Sequence, residues 1–174
     1  MLEKIKHICL SAILSLLVLS LNACLPASTA TDTISVTIVI DGDTLVISTG
    51  EKVRYIGIDT PEVFPEEPFG QEATKANREL VLGKSVRLEK DVSETDKYGR
   101  LLRYVWVDDI MVNMELVRRG LAVAKAYPPD TKYRALLEAA ELEARLAGRG
   151  MWAQVNEQKE GAGVTPPLRN FYIK

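Results

Sequence analysis

Short β-branched runs, set close together by turn residues, decide most of what this chain can become. Ile34–Ile40 and Thr44–Ser48 are joined through Asp41-Gly42, and Thr49-Gly50-Glu51 turns the chain again into Lys52–Ile58. Asp-Gly between such runs is a strong hairpin signal, because both residues accept the positive φ that a tight turn demands. Strands this short, with no helix between them, cannot make the crossovers of a parallel α/β sheet. Ser85–Val92 and Leu101–Val107 supply two further strands, the second closed by Asp108-Asp109. Helices enter later. Pro61, Pro65 and Pro68 enforce a loop, and Ala73, Ala76 and Leu80 predict a helix from Phe69 to Leu82 that Gly83 ends. Asn113 is expected to cap a short helix reaching Arg119, with Gly120 at its C-terminal end. A third helix is expected from Thr131 to Ala147. Leu136, Leu137, Ala140, Ala144 and Ala147 share one face of it, and Glu141 and Arg145 pair across one turn. The pattern predicts a mainly β, α+β domain: a five-stranded barrel with three helices.

The 174 residues allow one such domain with a modest core. Its N-terminus reads differently. Lys4 and Lys6 precede an unbroken apolar run from Ile8 to Leu21, too short to span a bilayer comfortably and shaped like a secretory signal. The run ends in Leu21-Asn22-Ala23-Cys24, which resembles a bacterial lipobox. Residues 1–23 are therefore expected to be a signal peptide cleaved before Cys24, whose thiol would carry the lipid. Residues 24–33 read as a tether, 34–152 as the folded domain and 153–174 as a flexible tail. On that reading the protein is exported and lipid-anchored to the cell envelope. The alternative is cleavage near Ala30, which releases a soluble secreted or periplasmic protein.

Removing the leader sharpens the chemistry by subtraction. His7 is the only histidine, and both it and Cys9 lie in the leader. The mature domain then has no histidine base, no Ser-His-Asp or Cys-His nucleophile, no usual zinc ligands and no intrachain disulfide. Whatever it catalyses must use carboxylates, arginines, lysines, tyrosines, hydroxyls and oxygen-bound metals. The formal charge of −2 becomes −3 when Glu3, Lys4 and Lys6 are lost. A protein that coats phosphates usually carries a basic surplus, so this balance argues against tight non-specific nucleic-acid binding but leaves room for a local clamp.

Three segments hold most of that chemistry. Asp41-Gly42-Asp43, taken alone, is turn chemistry, and Leu45 stands where an EF-hand loop needs its third ligand. Asp59-Thr60-Pro61-Glu62 at the end of the third run changes the reading. Asp43 and Asp59 from neighbouring strand ends, with a backbone carbonyl freed by the turn before Pro61, form a partial oxygen cage. Oxygen donors without nitrogen or sulfur favour Ca²⁺ or Mg²⁺, with weak affinity on the order of 10⁻⁴ to 10⁻³ M. Arg54 lies five residues before Asp59, which on an ideal strand puts the two side chains on opposite faces. They converge only if the strand ends or twists between them. Asp96-Lys97-Tyr98-Gly99-Arg100 is a polar hairpin loop whose arginine can present a guanidinium fork to phosphate.

These segments in this order, followed by Met111-Val112-Asn113, Leu116-Val117-Arg118-Arg119-Gly120-Leu121-Ala122 and Tyr127-Pro128-Pro129, resemble the staphylococcal nuclease (thermonuclease) family. The resemblance runs from about Ile34 to Trp152. It implies an OB-fold barrel with three helices and Ca²⁺-dependent endonuclease cleavage of DNA, RNA or both, leaving 3′-phosphate and 5′-hydroxyl ends. It implies Asp43, Asp59 and the Thr60 carbonyl as metal ligands, and Arg54, Glu62 and Arg100 as catalytic residues. It also implies Lys97, Tyr98 and Tyr127 as substrate-binding residues. Two departures stand out: the Pro65-Glu66-Glu67-Pro68 loop is acidic and short, and Lys125 occupies a place where a base-side tyrosine is often found. The rival readings are a non-catalytic OB-fold nucleic-acid-binding module of the envelope and a calcium-stabilised envelope protein. Apart from a nucleic-acid substrate and the membrane, nothing in the sequence implies a partner, and a monomer is expected.

Overall fold

The computed structural model describes residues 33–153. The expected signal peptide, Cys24, the tether up to residue 32 and the tail from residue 154 lie outside the described residues. In chain order the elements are β1 (Thr33–Val39), β2 (Thr44–Ile47), β3 (Lys52–Tyr55), β4 (Ile58–Asp59), α1 (Gly70–Val81), β5 (Ser85–Glu89), β6 (Leu101–Val107), β7 (Ile110–Met111), α2 (Val112–Arg118), β8 (Val123–Ala124) and α3 (Arg134–Leu146), followed by a 3-10 turn at Gly150–Trp152.

The first three strands form the expected antiparallel meander, with Val36 opposite Ile47 and Leu45 opposite Val53. A bulge between Val36 and Ile38 bends β1, which lets it pair with β2 along one stretch and with β5 along another. β5 pairs with β6, and β6 returns to lie parallel to β3, with Val53 opposite Leu101. That last pairing closes five strands into a barrel and leaves β7 as a short hairpin on β6. The topology is that of an OB-fold, and it removes the open edges that a five-stranded sheet would otherwise expose.

The interior is apolar and assembled from every part of the chain. Leu45, Val53, Val86 and Val105 point inward from the strands, Val81 seals the end of α1, and Leu116, Val117 and Leu137 cover the barrel from α2 and α3. Each such side chain contributes about 1.5–3 kcal/mol on burial. On α3 the buried face is Leu137, Ala140 and Ala144, whereas Leu136 is exposed. The helix begins at Arg134 rather than Thr131, because Thr131–Tyr133 form a turn in which Arg134 N donates to Thr131 O at 3.1 Å.

Two local expectations are corrected. The run Lys52–Ile58 is not one strand: β3 stops at Tyr55, and Gly57 at φ 78° turns the chain into the two-residue β4. Glycine suits the position for its backbone freedom and also because a Cβ there would lie 2.6 Å from Leu137 Cδ1. Asn113 does not cap α2. Met111 holds the cap position, and Asn113 is fully buried inside the helix. Its Nδ2 donates to Ile56 O and its Oδ1 accepts from Val105 N, both at 2.9 Å. The side chain thus satisfies the carbonyl that the strand break leaves unpaired, in place of the helix terminus.

Asn113→Ala is expected to strand two buried backbone groups at once and to lower unfolding stability by about 2–4 kcal/mol. Urea denaturation of the purified protein measures this; a loss below about 1 kcal/mol would show that the break at Ile56 holds without the amide.

Candidate active site

The break between β3 and β4 has a direct consequence at one end of the barrel. Once the chain turns at Gly57, Asp59 swings back beside Arg54. Arg54 Nη2 donates to Asp59 Oδ1 at 2.8 Å and lies 3.0 Å from Asp43 Oδ2. The same guanidinium is fixed through Nη1, which donates to Tyr55 O at 2.8 Å and to Ile58 O at 2.9 Å. The odd spacing of Arg54 and Asp59 is resolved by the turn itself, whose carbonyls hold the arginine.

Asp43 sits in the β1–β2 turn and is only 5 % exposed. Its Oδ2 accepts from Thr60 N at 3.0 Å and from Thr60 Oγ1 at 3.1 Å, and its Oδ1 accepts from Thr44 Oγ1 at 3.2 Å. Gly42 permits this closeness, since a Cβ there would fall 2.6 Å from Thr60 Oγ1. Asp41, read from the sequence as turn chemistry, is also part of the site. Its Oδ1 accepts from Asp43 N at 3.0 Å, and its carboxylate lines the same pocket. The turn is tied down from outside by a buried relay: Tyr55 Oη donates to Asn77 Oδ1 at 2.7 Å, and Asn77 Nδ2 donates to Asp41 O at 3.0 Å. Neither Tyr55 nor Asn77 carries a sequence motif. Their only signal is a polar group at an otherwise apolar helix or strand position.

Glu62 enters from the loop between β4 and α1. Its backbone is held on both sides by Glu67, which accepts from Glu62 N through Oε2 at 3.0 Å and donates its own N–H to Glu62 O at 2.9 Å. Gly70 packs against the same carbonyl, where a Cβ would come within 2.4 Å. Arg100 enters from the β5–β6 connection. Asp96 receives its Nε at 2.7 Å and its backbone N–H at 3.0 Å, and also the Tyr98 N–H at 2.9 Å. These bonds hold Asp96 below the ordinary aspartate range despite its partial burial. Asp96 is thus the anchor of Arg100, a role legible in hindsight from an aspartate that opens a tight loop. Arg100 Nη1 lies 3.5 Å from Thr44 Oγ1, too long for a strong bond, so this end of the fork remains available.

Asp41, Asp43, Arg54, Asp59, Thr60, Glu62 and Arg100 line one polar pocket of about 220 Å³, the space of roughly seven waters. All six residues expected as metal ligands or catalytic groups meet there. Lys97, Tyr98 and Tyr127 do not line it. Tyr98 and Tyr127 are largely exposed beside it, each linked to the pocket by a cation. Arg100 Cζ lies 5.5 Å from the Tyr98 ring and Lys97 Nζ lies 5.0 Å from the same ring. Lys125 Nζ lies 5.8 Å from the Tyr127 ring and donates to Asp59 Oδ2 at 2.7 Å.

The electrostatics fit a hard cation. Burial pushes the Asp43 carboxyl up to about 6, partly offset by Arg54 and reinforced by Asp41 and Asp59. Glu62 is raised too, by partial burial and by Asp41, Asp59 and Glu67. The pocket therefore holds more negative charge than Arg54 offsets. Among the described residues no three carboxylates already close around one point, so a cation here would take two carboxylates, a carbonyl and waters or substrate oxygens. An all-oxygen set of that kind suits Ca²⁺ or Mg²⁺. Burial works against the Lys125 ammonium, but its hydrogen bond to Asp59 outweighs that and raises its pKa.

Comparison with known proteins points to one family. The family model described as "Staphylococcal nuclease homologue" matches residues 52–154. A thermonuclease of Staphylococcus intermedius is 46 % identical over 121 residues, covering 66 % of this chain and 72 % of that protein. A thermonuclease of Staphylococcus hyicus is 40 % identical over 122 residues with the same coverage. Endonuclease YncB of Bacillus subtilis (strain 168) is 44 % identical over 124 residues, covering 66 % of this chain and 59 % of that protein.

The raised Asp43 pKa makes a signed prediction for the metal-free protein. Because the folded value lies above the unfolded one, Asp43 costs nothing below about pH 4. It subtracts stability as pH rises through 6, to at most about 3 kcal/mol. In Asp43→Asn the amide oxygen can keep Thr60 and Arg54, while the NH₂ turns to the Thr44 hydroxyl. The variant should be more stable than wild type at pH 7–8 in chelator, by about 1–3 kcal/mol, and equal to it near pH 4. Urea midpoints across that range test this; a variant less stable at pH 8 would overturn it.

Proposed function

Because the chain belongs to the staphylococcal nuclease family, we propose that it is a calcium-dependent endonuclease. On this reading it hydrolyses phosphodiester bonds of DNA, RNA or both by metal-assisted water attack and leaves 3′-phosphate and 5′-hydroxyl ends. The observation that carries the reading is the convergence of oxygen donors, a proton-accepting carboxylate and two guanidinium groups in one pocket. Asp43, Asp59 and the Thr60 carbonyl would hold the cation, with Asp41 beside them. The ion would supply positive charge at the scissile phosphate, where the transition state gathers negative charge.

The chain's own residues account for the other steps. Arg54 is held by four oxygen partners, so its charge is fixed before substrate arrives and needs no reorganisation. Arg100 is gripped by Asp96 at Nε, which leaves the outer nitrogens for phosphate oxygens in the geometry a guanidinium fork matches. Glu62 lines the pocket with a carboxylate raised above its ordinary value, which makes it a better acceptor for the attacking water's proton. Tyr98 and Tyr127 offer exposed aromatic faces on which unpaired bases can stack. We also propose that the mature protein is a monomer held at the envelope through lipid on Cys24.

Purified protein should digest DNA, RNA or both with Ca²⁺ and neither with chelator; end-labelled products report which end keeps the phosphate. Binding without cleavage would select the non-catalytic module. Glu62→Gln is expected to lose about 10²–10⁴-fold in rate and Arg100→Ala about 10²–10³-fold, both with unchanged urea midpoints. Near-wild-type cleavage by either would remove that residue from the mechanism. For the anchor, Cys24→Ser should shift the expressed protein from the detergent phase to the aqueous phase in phase partitioning.

A further inference from the structure

Both oxygens of Asp59 are occupied by cations from this chain. Arg54 Nη2 donates to Oδ1 at 2.8 Å, and Lys125 Nζ donates to Oδ2 at 2.7 Å. The first contact belongs to a rigid cluster, but the second does not. Lys125 follows β8 directly, and that strand pairs with β4 so that Asp59 faces Val123 and Ile58 faces Ala124. Lys125 N donates to Gly57 O at 2.8 Å, continuing the ladder by one residue. The position opposite Lys125 is thus a glycine, and its long side chain reaches along the ribbon to Asp59, two residues further. On the other side, Lys125 Nζ stands 5.8 Å from the exposed Tyr127 ring. The ammonium therefore sits between a metal-ligating carboxylate and the surface where a strand of nucleic acid would lie.

A lysine ammonium is a compact charge on a flexible stem with no fixed geometry. It cannot share Asp59 with a divalent cation without repulsion; its other partner is the Tyr127 side chain, and a phosphate beside that ring would offer a stronger, anionic acceptor. We propose that Lys125 is a positioning residue that holds the cation's place on Asp59 in the metal-free protein and transfers to a backbone phosphate of the nucleic-acid strand beside Tyr127 when the cation enters. Cation uptake and substrate binding then favour each other. Entry of the ion frees the ammonium for phosphate, and phosphate draws the ammonium away from the carboxylate. The inference rests on the proposed metal site and deepens it.

The test is a calorimetric titration of the full protein with Ca²⁺ alone, without nucleic acid. Lys125→Met should bind Ca²⁺ about tenfold more tightly than wild type, the size expected for removing one positive charge close to a divalent ion in a water-rich site. Lys125→Arg, which keeps the charge, should bind as wild type does. At saturating Ca²⁺, Lys125→Met should raise KM for a single-stranded oligonucleotide several-fold with little change in kcat. It should also flatten the dependence of log KM on log salt by about one. Should Lys125→Met misfold, Lys125→Gln takes its place in every arm. Equal or weaker Ca²⁺ binding by the neutral variant overturns the inference while leaving the metal site standing. Absence of Ca²⁺ binding to wild type and variants alike overturns the metal site, and the inference falls with it.

Discussion

A carboxylate buried in the wall of a small barrel has to be met by donors, and the arrangement that meets Asp43 organises this end of the molecule. Left alone at 5 % exposure, the charge would be costly enough that the group would simply stay protonated. Two other segments converge on it, Arg54 from β3 and Thr60 from the end of β4, and the adjacent Thr44 at the start of β2 adds its hydroxyl. Each donor fixes its own segment relative to the β1–β2 turn. The compensation is incomplete, since the carboxyl is still held near 6. On the proposed reading that residue of unmet negative charge would draw a cation to the site, so the cost in the metal-free protein and the capacity to bind would be one property.

The barrel itself does not aim these side chains. Its strands pair antiparallel except where β6 lies parallel to β3, side chains alternate in the ordinary way, and an uninterrupted β3 would have carried Arg54 and Asp59 to opposite faces. The site exists because β3 stops early. Gly57 permits the turn, and Asn113, buried in a helix that packs across the barrel, satisfies the Ile56 carbonyl that the turn exposes. The Tyr55–Asn77–Asp41 relay does the same for the neighbouring turn from the side of α1. Two helices remote from the chemistry therefore hold the two turns that carry it. Polar groups buried in this way are tolerable only when fully partnered, and the Asn113 and Asn77 amides each bridge a donor and an acceptor.

This division also explains what the sequence could and could not disclose. Hairpin dipeptides and apolar periodicity are local signals, and they foretold the five barrel strands, the three helices and the apolar face of α3 through Leu137, Ala140 and Ala144. Chemistry-bearing residues were legible because the folded domain contains no histidine and leaves little else. The missed features are of two kinds, non-local contacts and local roles that a turn motif disguises. Asn113 looked like a helix cap because asparagine before an apolar helix usually is one; only the fold shows it facing Ile56, 57 residues away. Asp41 was absorbed into the turn it helps to make, although an Asp-Gly-Asp turn can offer both carboxylates when its two flanking strands curl around a pocket. Asp96 and Lys125 stood in view, one opening the hairpin loop and one departing from the family pattern, but they act on other side chains, and only the fold shows which. Leu136 sat one position off the buried stripe, a slip to which helical periodicity is prone at its margins.

The charge balance carries a final consequence. A chain with formal charge −2 approaches a polyanion against its average field, so attraction has to be local and short in range. On the proposed reading Lys97, Arg100 and Lys125 would supply it; each lies over or beside an exposed tyrosine at the pocket mouth, while Glu66, Glu67 and Glu72 border the neighbouring surface around Phe69. On that reading a strand would be gripped over the few nucleotides whose phosphates and bases reach those two tyrosines, and repelled on the acidic flank. Such a surface discriminates little by sequence, since stacking and phosphate contacts are common to all bases. It also releases cleaved ends readily, because few phosphates are held at any moment and the salt-dependent part of affinity scales with their number. For a hydrolase acting on a long polymer, weak global attraction and a short local clamp serve turnover better than a basic coat.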